Sequence, residues 1–355
     1  MKNFSSNTLA PSSNQSWFLG DGKAHKGRIF YKIFAGGKYN YSFMFTNIID
    51  STYSDGKHSQ ANLVCDSWEI ISASIYITKD VSNDLDFNDK IQLTFNDGAK
   101  NKTVISKEIF YTDIIEIECE KNDYICLEIE YMGDGKIPYM EEMMIPSFIY
   151  VNGEWINSKK TPLCASILCD KRVEKKIGFF GDSITEGIGV ASNSYNWWCS
   201  KIADIVGDKY SYWDIGIGFG RAHDGASCGS WLNKAKMLDT ITVCFGVNDI
   251  CQGFSEESIK NCLITIVNEL KKAGKRVILF TIPPFDYDKI KEKIWRNLNN
   301  YIKTELSKYV EVYDVVPIWG MEAPNEHMAK YGGHPNEEGS ALLAKDFTSK
   351  IQLQL

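Results

Sequence analysis

The apolar positions of the chain fall into two regimes. From Gly27 to about Trp155, short runs alternate apolar and polar residues: Ile71-Ser72-Ala73-Ser74-Ile75-Tyr76-Ile77, Ile91-Gln92-Leu93-Thr94-Phe95 and Leu127-Glu128-Ile129-Glu130-Tyr131. Successive side chains of a strand point to opposite faces, so each run predicts a strand with one face on a core and one in water. Turn-forming pairs separate the runs: Gly36-Gly37, Asp55-Gly56, Asp97-Gly98, Asp134-Gly135 and Asn152-Gly153. No proline lies between Pro11 and Pro138, which suits paired strands. Short antiparallel strands with frequent turns predict an all-β, jelly-roll-like sandwich.

The pattern changes near Lys171. Short apolar runs at Ile177–Phe180, Tyr210–Ile215, Ile241–Phe245, Val277–Phe280 and Val310–Tyr313 predict buried strands. Between them the apolar spacing becomes three to four. One helix face carries Ile259, Cys262, Leu263, Ile266, Val267 and Leu270; another carries Ile290, Ile294, Leu298, Ile302 and Leu306; a last one carries Leu343, Phe347 and Ile351. A first helix is expected over Ser194 to Ile205. Buried strands alternating with amphipathic helices predict an α/β fold, a parallel sheet with helices on both sides. The expected organisation is a flexible Ser/Asn-rich arm at 1–15, a β-sandwich accessory domain at 16–170 and an α/β domain at 171–355.

Composition narrows the function. A length of 355 residues accommodates two domains, and 44% hydrophobic with 24% charged residues is a globular mix. The net charge of −7 and the lack of a dense basic run argue against nucleic acid as a partner. No run of ~18 apolar residues predicts a membrane span, and the start lacks the apolar stretch of a signal peptide, so a cytoplasmic location is expected. The ten cysteines form no C-x-x-C pair. They read as reduced, packed thiols rather than as metal ligands, and no metal or cofactor is expected.

Four short segments carry candidate chemistry. Gly181-Asp182-Ser183-Ile184-Thr185-Glu186-Gly187 follows directly on a strand, which sets Ser183 at the carboxyl end of the sheet, where open α/β folds bind ligands. A serine there is either a helix cap or a nucleophile. Gly216-Ile217-Gly218-Phe219-Gly220 follows a second strand, and its glycines allow a backbone N–H to approach a substrate oxygen. Gly246-Val247-Asn248-Asp249 follows a third, where the Asn248 amide can donate to an oxyanion. Gly333-His334-Pro335-Asn336 precedes the last helix and leaves His334 on a loop as a candidate general base for Ser183.

These segments, in this order, resemble the SGNH hydrolases, also called the GDSL esterase/lipase family. The resemblance covers about Lys176 to Leu355. It implies a three-layer α/β/α domain and metal-free ester hydrolysis, with Ser183 as nucleophile and His334 as base. It also implies an oxyanion hole from the Ser183 N–H, the Gly218 N–H (Gly220 being an alternative) and the Asn248 side chain. A β-sandwich ahead of such a domain is similar to the arrangement of two-domain carbohydrate esterases. The expected substrate is therefore a short-chain, foremost acetyl, ester of a carbohydrate or similar small polar molecule. A lipase or thioesterase with a longer acyl pocket, or a catalytically weak carbohydrate-binding homologue, are the alternatives.

One position departs from the family pattern. The aspartate usual three residues before the histidine is Tyr331 here. A phenol brings no negative charge near neutral pH. Three readings follow: a backbone carbonyl orients the ring and leaves a Ser-His dyad, an upstream carboxylate (Glu326 or Glu322) supplies the charge, or the activity is low; Tyr331 itself is a further orienting candidate. Of the other histidines, His25 and His58 belong to the β part, while His223 and His327 fall on loops nearer the site. Arg221 either binds a polar substrate group or pairs with an acid. Trp197, Trp198 and Trp213 are expected in the core; Trp231, Trp319 and Met321 are candidates to wall an acyl pocket. Asp182, Glu186 and Asp249 are expected to be structural.

Overall fold

The computed structural model describes residues 4–10, 12–52, 60–81, 90–141, 144–162 and 165–353. The Asp55-Gly56 turn, His58 and Cys164 lie outside the described residues. The chain divides into two compact units, one of Met1–Val173 with Ser211–Trp213, the other of Glu174–Tyr210 and Asp214–Leu355.

The strands of the first unit pair antiparallel. Its largest sheet runs in the order Glu154–Asn157, Ser147–Val151, Ala24–Lys32, Tyr124–Met132, Trp68–Thr78, Ile91–Gln92, with Lys102–Val104 also paired to Trp68–Thr78. A four-stranded sheet centres on Gly37–Thr46. This all-β unit fits the jelly-roll-like sandwich expected. Asn152 (φ 50°) and Gly153 (φ 93°) make the two-residue turn between Val151 and Glu154, both in the left-handed region that such a turn needs. Burial does not alternate strictly, because the second face of the large sheet is also covered. Phe30, Tyr76, Cys126 and Phe148 form a buried cluster there. On the same face Arg28 pairs with Glu128 at 2.7 Å and lies over the Trp155 ring at 3.9 Å.

Most of the described residues of the arm expected at 1–15 are buried. Leu9 is 1% exposed, and Ser5, Asn7 and Asn14 are buried with it. A Ser/Asn-rich segment reads as linker by composition, but here its side chains satisfy strand ends. Asn7 Nδ2 donates to Ala35 O at 2.9 Å and to Tyr41 Oη at 2.7 Å. Asn14 Nδ2 donates to Thr46 O at 2.7 Å and Ile48 O at 2.9 Å. Ser5 and Cys169 exchange both backbone hydrogen bonds.

The second unit carries a parallel sheet, in the order Lys176–Gly181, Thr240–Cys244, Arg276–Phe280, Glu311–Tyr313. The neighbours Phe179 and Phe180 show how it becomes three layers. Adjacent strand residues face opposite ways. Phe179 packs edge-on against Trp198 of the helix Trp198–Val206, at 5.2 Å; Trp198 meets Phe280, and Phe280 meets Phe347 of the last helix, Glu337–Lys350. Phe180 packs instead on Trp231 at 4.8 Å and on Phe245 at 4.9 Å, with Gly225 and Ile266 of the helix Glu256–Lys272 behind them. Each such aromatic pair adds about 0.5–1.5 kcal/mol beyond its buried area. The first long helix begins at Trp198 rather than Ser194, with Trp197 as its N-cap. Among the described residues no helix is long and apolar enough to cross a membrane.

Candidate active site

The four segments meet around the end of the strand Lys176–Gly181. Gly181 lies opposite Cys244 of the neighbouring parallel strand, so the turns that follow leave the sheet side by side. On the other edge the Ile215 N–H donates to Phe179 O and the Ile217 N–H to Gly181 O. Ser183, Gly218 and Asn248 thus stand two, one and four residues beyond one rung of the sheet. Ser183 opens the short helix Ser183–Glu186, and Asp182 caps it, its Oδ1 accepting from Ile184 N–H at 3.0 Å. The cap is therefore Asp182, and the Ser183 hydroxyl is left for another partner.

That partner is His334. Its Nε2 lies 2.8 Å from Ser183 Oγ, and both side chains are half-buried. Asn336 caps the last helix through Gly339 N–H, two residues beyond His334. Gly189, at φ 109°, seats the two loops on each other: a Cβ there would stand 2.7 Å from the carbonyl oxygens of His334 and Pro335. Burial holds the His334 pKa below its ordinary value of 6.5, so the ring favours the neutral state. Among the described residues its ring hydrogen bond is the one with Ser183.

The third segment joins the second. Asn248 Nδ2 donates to Gly220 O at 2.9 Å. Asp249 is turned inward, accepting from Ala222 N–H at 2.9 Å and His223 N–H at 3.2 Å. The Gly220 N–H, the alternative to that of Gly218, is used within its own turn, donating to Ile217 O at 3.0 Å. Burial pushes the carboxyls of Asp182 and Asp249 up, to about 7 and about 6. Both hold loops through backbone N–H groups.

Residues 179–342 match the family described as GDSL-like lipase/acylhydrolase. This stretch is a GDSL-like lipase/acylhydrolase domain. Solved structures similar to the chain include a lipolytic protein of the G-D-S-L family from Veillonella parvula DSM 2008, 21% identical, covering 50% of this chain and 98% of that one, TM-score 0.41. The acetyl xylan esterase AlAXEase is 18% identical, with 50% and 99% covered, TM-score 0.40. The psychrotrophic esterase EstA from Pseudoalteromonas sp. is 17% identical, with 50% and 96% covered, TM-score 0.40. No curated protein sequence matches the chain.

Among the described residues, none of the three candidates for a third member of the GDSL-domain site hydrogen-bonds the His334 ring. Glu326 pairs with Arg296, which holds its carboxyl below the usual carboxylate range. Tyr331 lies against Gly339 in the first turn of the last helix, where a Cβ on that glycine would meet its ring. Glu322 is exposed. Arg221 resolves to the acid-paired reading: it is buried and holds Asp224, with Nε donating to Oδ2 at 2.8 Å. His223 is tilted over Phe254 at 5.3 Å, and His327 Nδ1 stands 3.2 Å from Glu292. His25 meets Asp21 at 2.8 Å in the first unit. Trp197, Trp198, Trp231 and Trp319 are fully buried and each indole donates a hydrogen bond, to Asp214, Ile184 O, Ile215 O and Gly339 O; Met321 is exposed.

Two supports of the GDSL domain escaped the sequence reading. Asp214 is buried and its carboxyl is pushed up to about 7; it accepts from Gly216 N–H at 2.9 Å and Trp197 Nε1 at 3.0 Å, so it fixes the start of the glycine segment. Its position at a strand end before a glycine was a usable sign. Phe285 stands edge-on to His334, with ring centres 5.7 Å apart. Nothing in the local sequence marks it, because the contact joins two loops far apart in the chain. Among the described residues no cluster of three or more His, Cys, Asp or Glu could hold a metal ion.

Proposed function

We propose that the protein is a serine ester hydrolase that removes short acyl groups, foremost acetyl, from a carbohydrate or similar small polar ester. The observation that carries this reading is the 2.8 Å contact between Ser183 Oγ and His334 Nε2 within a GDSL domain. Ser183 Oγ attacks the ester carbonyl while His334 Nε2 takes its proton. The negative oxygen is held by the Ser183 N–H, the Gly218 N–H and the Asn248 amide, whose second hydrogen is the one not given to Gly220 O. His334 then protonates the leaving alcohol, and water repeats the sequence on the acyl-enzyme. With Glu326 held by Arg296 and Tyr331 packed on Gly339, Ser183 and His334 act as a dyad. An all-β unit ahead of the GDSL domain supports a carbohydrate ester, by its likeness in order to two-domain carbohydrate esterases.

The reading is tested by a fluorophosphonate probe with peptide mass spectrometry, together with p-nitrophenyl esters of rising chain length and acetylated sugars. The expected result is one label on Ser183 and turnover that falls as the acyl chain lengthens. Turnover rising with chain length would move the assignment to a lipase or thioesterase. Glycan binding without label on Ser183 would leave a binding protein. Asn248→Ala should lower kcat by about 10²–10³-fold with a smaller change in KM, since an oxyanion donor acts in the transition state. Equal kcat in both proteins would remove Asn248 from the oxyanion site.

A further inference from the structure

A histidine base works only if its ring is aimed, and among the described residues no carboxylate hydrogen-bonds the His334 ring. Resting on the dyad reading above, we infer that Phe285 is a positioning residue that sets the orientation of the His334 ring. The two rings meet edge to face, 5.7 Å apart at 83°, a geometry that aromatic pairs favour. The approach depends on Gly333: a Cβ there would lie 2.8 Å from the Phe285 ring.

Phe285 is itself held. Its N–H donates to His327 O at 3.1 Å. The next residue, Asp286, adopts φ 53°, a left-handed conformation that aspartate tolerates better than most residues, and its Oδ1 accepts from Ala329 N–H at 2.8 Å. Tyr287 is buried, donates to Pro283 O at 3.2 Å and packs on Trp295. The loop bearing Phe285 is thus tied at two points to the loop bearing His334. A ring so placed restricts imidazole rotation and keeps water from one side of it.

The charged groups around this contact are engaged elsewhere. Asp182 caps Ile184 N–H, Asp286 holds Ala329 N–H, Glu326 pairs with Arg296, and His327 faces Glu292. Glu186, on the short helix that Ser183 opens, is buried. The downward displacement of the His334 pKa has burial as its cause, which agrees with a neighbour that excludes water rather than one that brings charge.

The test uses Phe285→Ala, Phe285→Leu and Phe285→Tyr in the full chain. Readouts are kcat and KM on p-nitrophenyl acetate, thermal unfolding, and NMR titration of the His334 ring with labelled histidine. Phe285→Ala should lower kcat about 10–100-fold with little change in KM, as misaimed catalytic groups do. The His334 titration should move up toward 6.5. Phe285→Tyr should restore both, and Phe285→Leu, which keeps apolar volume, serves if the alanine variant does not fold. An unchanged kcat in Phe285→Ala, or a lost kcat with an unmoved titration, would overturn the inference. Failure of the dyad reading shows separately, as no label on Ser183 in the unaltered chain.

Discussion

Ser183→Ala should lower kcat for p-nitrophenyl acetate by on the order of 10⁴–10⁶-fold, leaving only the slow hydrolysis that binding and oxyanion donors sustain. The substitution should spare the fold. Ser183 is half-buried and begins its helix, but the capping hydrogen bond belongs to Asp182. Removing one hydroxyl there opens no sizeable cavity, so the thermal midpoint should move by only a few degrees. Comparing initial rates and melting curves of the two proteins checks both statements. Turnover near the wild-type level would end the assignment of Ser183 as nucleophile.

His334→Gln should come close to the same loss, because the hydroxyl then has no base within reach. The two substitutions act on one unit, so the double variant should be no slower than Ser183→Ala alone. The unaltered protein should show the pH signature of this base. Burial lowers the His334 pKa below 6.5, so the ring is neutral, and able to accept a proton, down to a lower pH than a free imidazole. The acidic limb of kcat/KM should therefore bend below pH 6.5 and vanish from the residual activity of His334→Gln. A limb at or above pH 7 would instead point to a carboxylate beside the ring, which raises an imidazole pKa.

Much of this was legible in the chain. The strand-end positions of Ser183 and Asn248 follow from short apolar runs ending just before them, and His334 from its place ahead of an amphipathic helix. These are local signals, each written in a few consecutive residues. The arm at 1–15 is hard to read because a run of serines and asparagines looks the same whether its side chains meet water or, as Asn7 and Asn14 do, strand carbonyls. The candidates for a third catalytic member were named from nearness in sequence, yet Glu326 is taken by Arg296, thirty positions away. Phe285 touches His334 through a contact between loops, which no periodicity records, whereas Asp214 had a local sign in its strand-end place two residues before Gly216.

The pairing of Ser5 with Cys169 also says something about how the first unit is made. Ser5 and the strand Ser166–Cys169 exchange hydrogen bonds across 164 positions of chain. At about 5–20 residues per second, synthesis takes roughly ten to thirty seconds to pass from one partner to the other. For that interval Ser5 waits on a growing chain, while the contacts of Asn7 and Asn14 to residues 35–50 form almost at once. The pairing of Ser5 therefore cannot form until the chain has been made as far as Cys169.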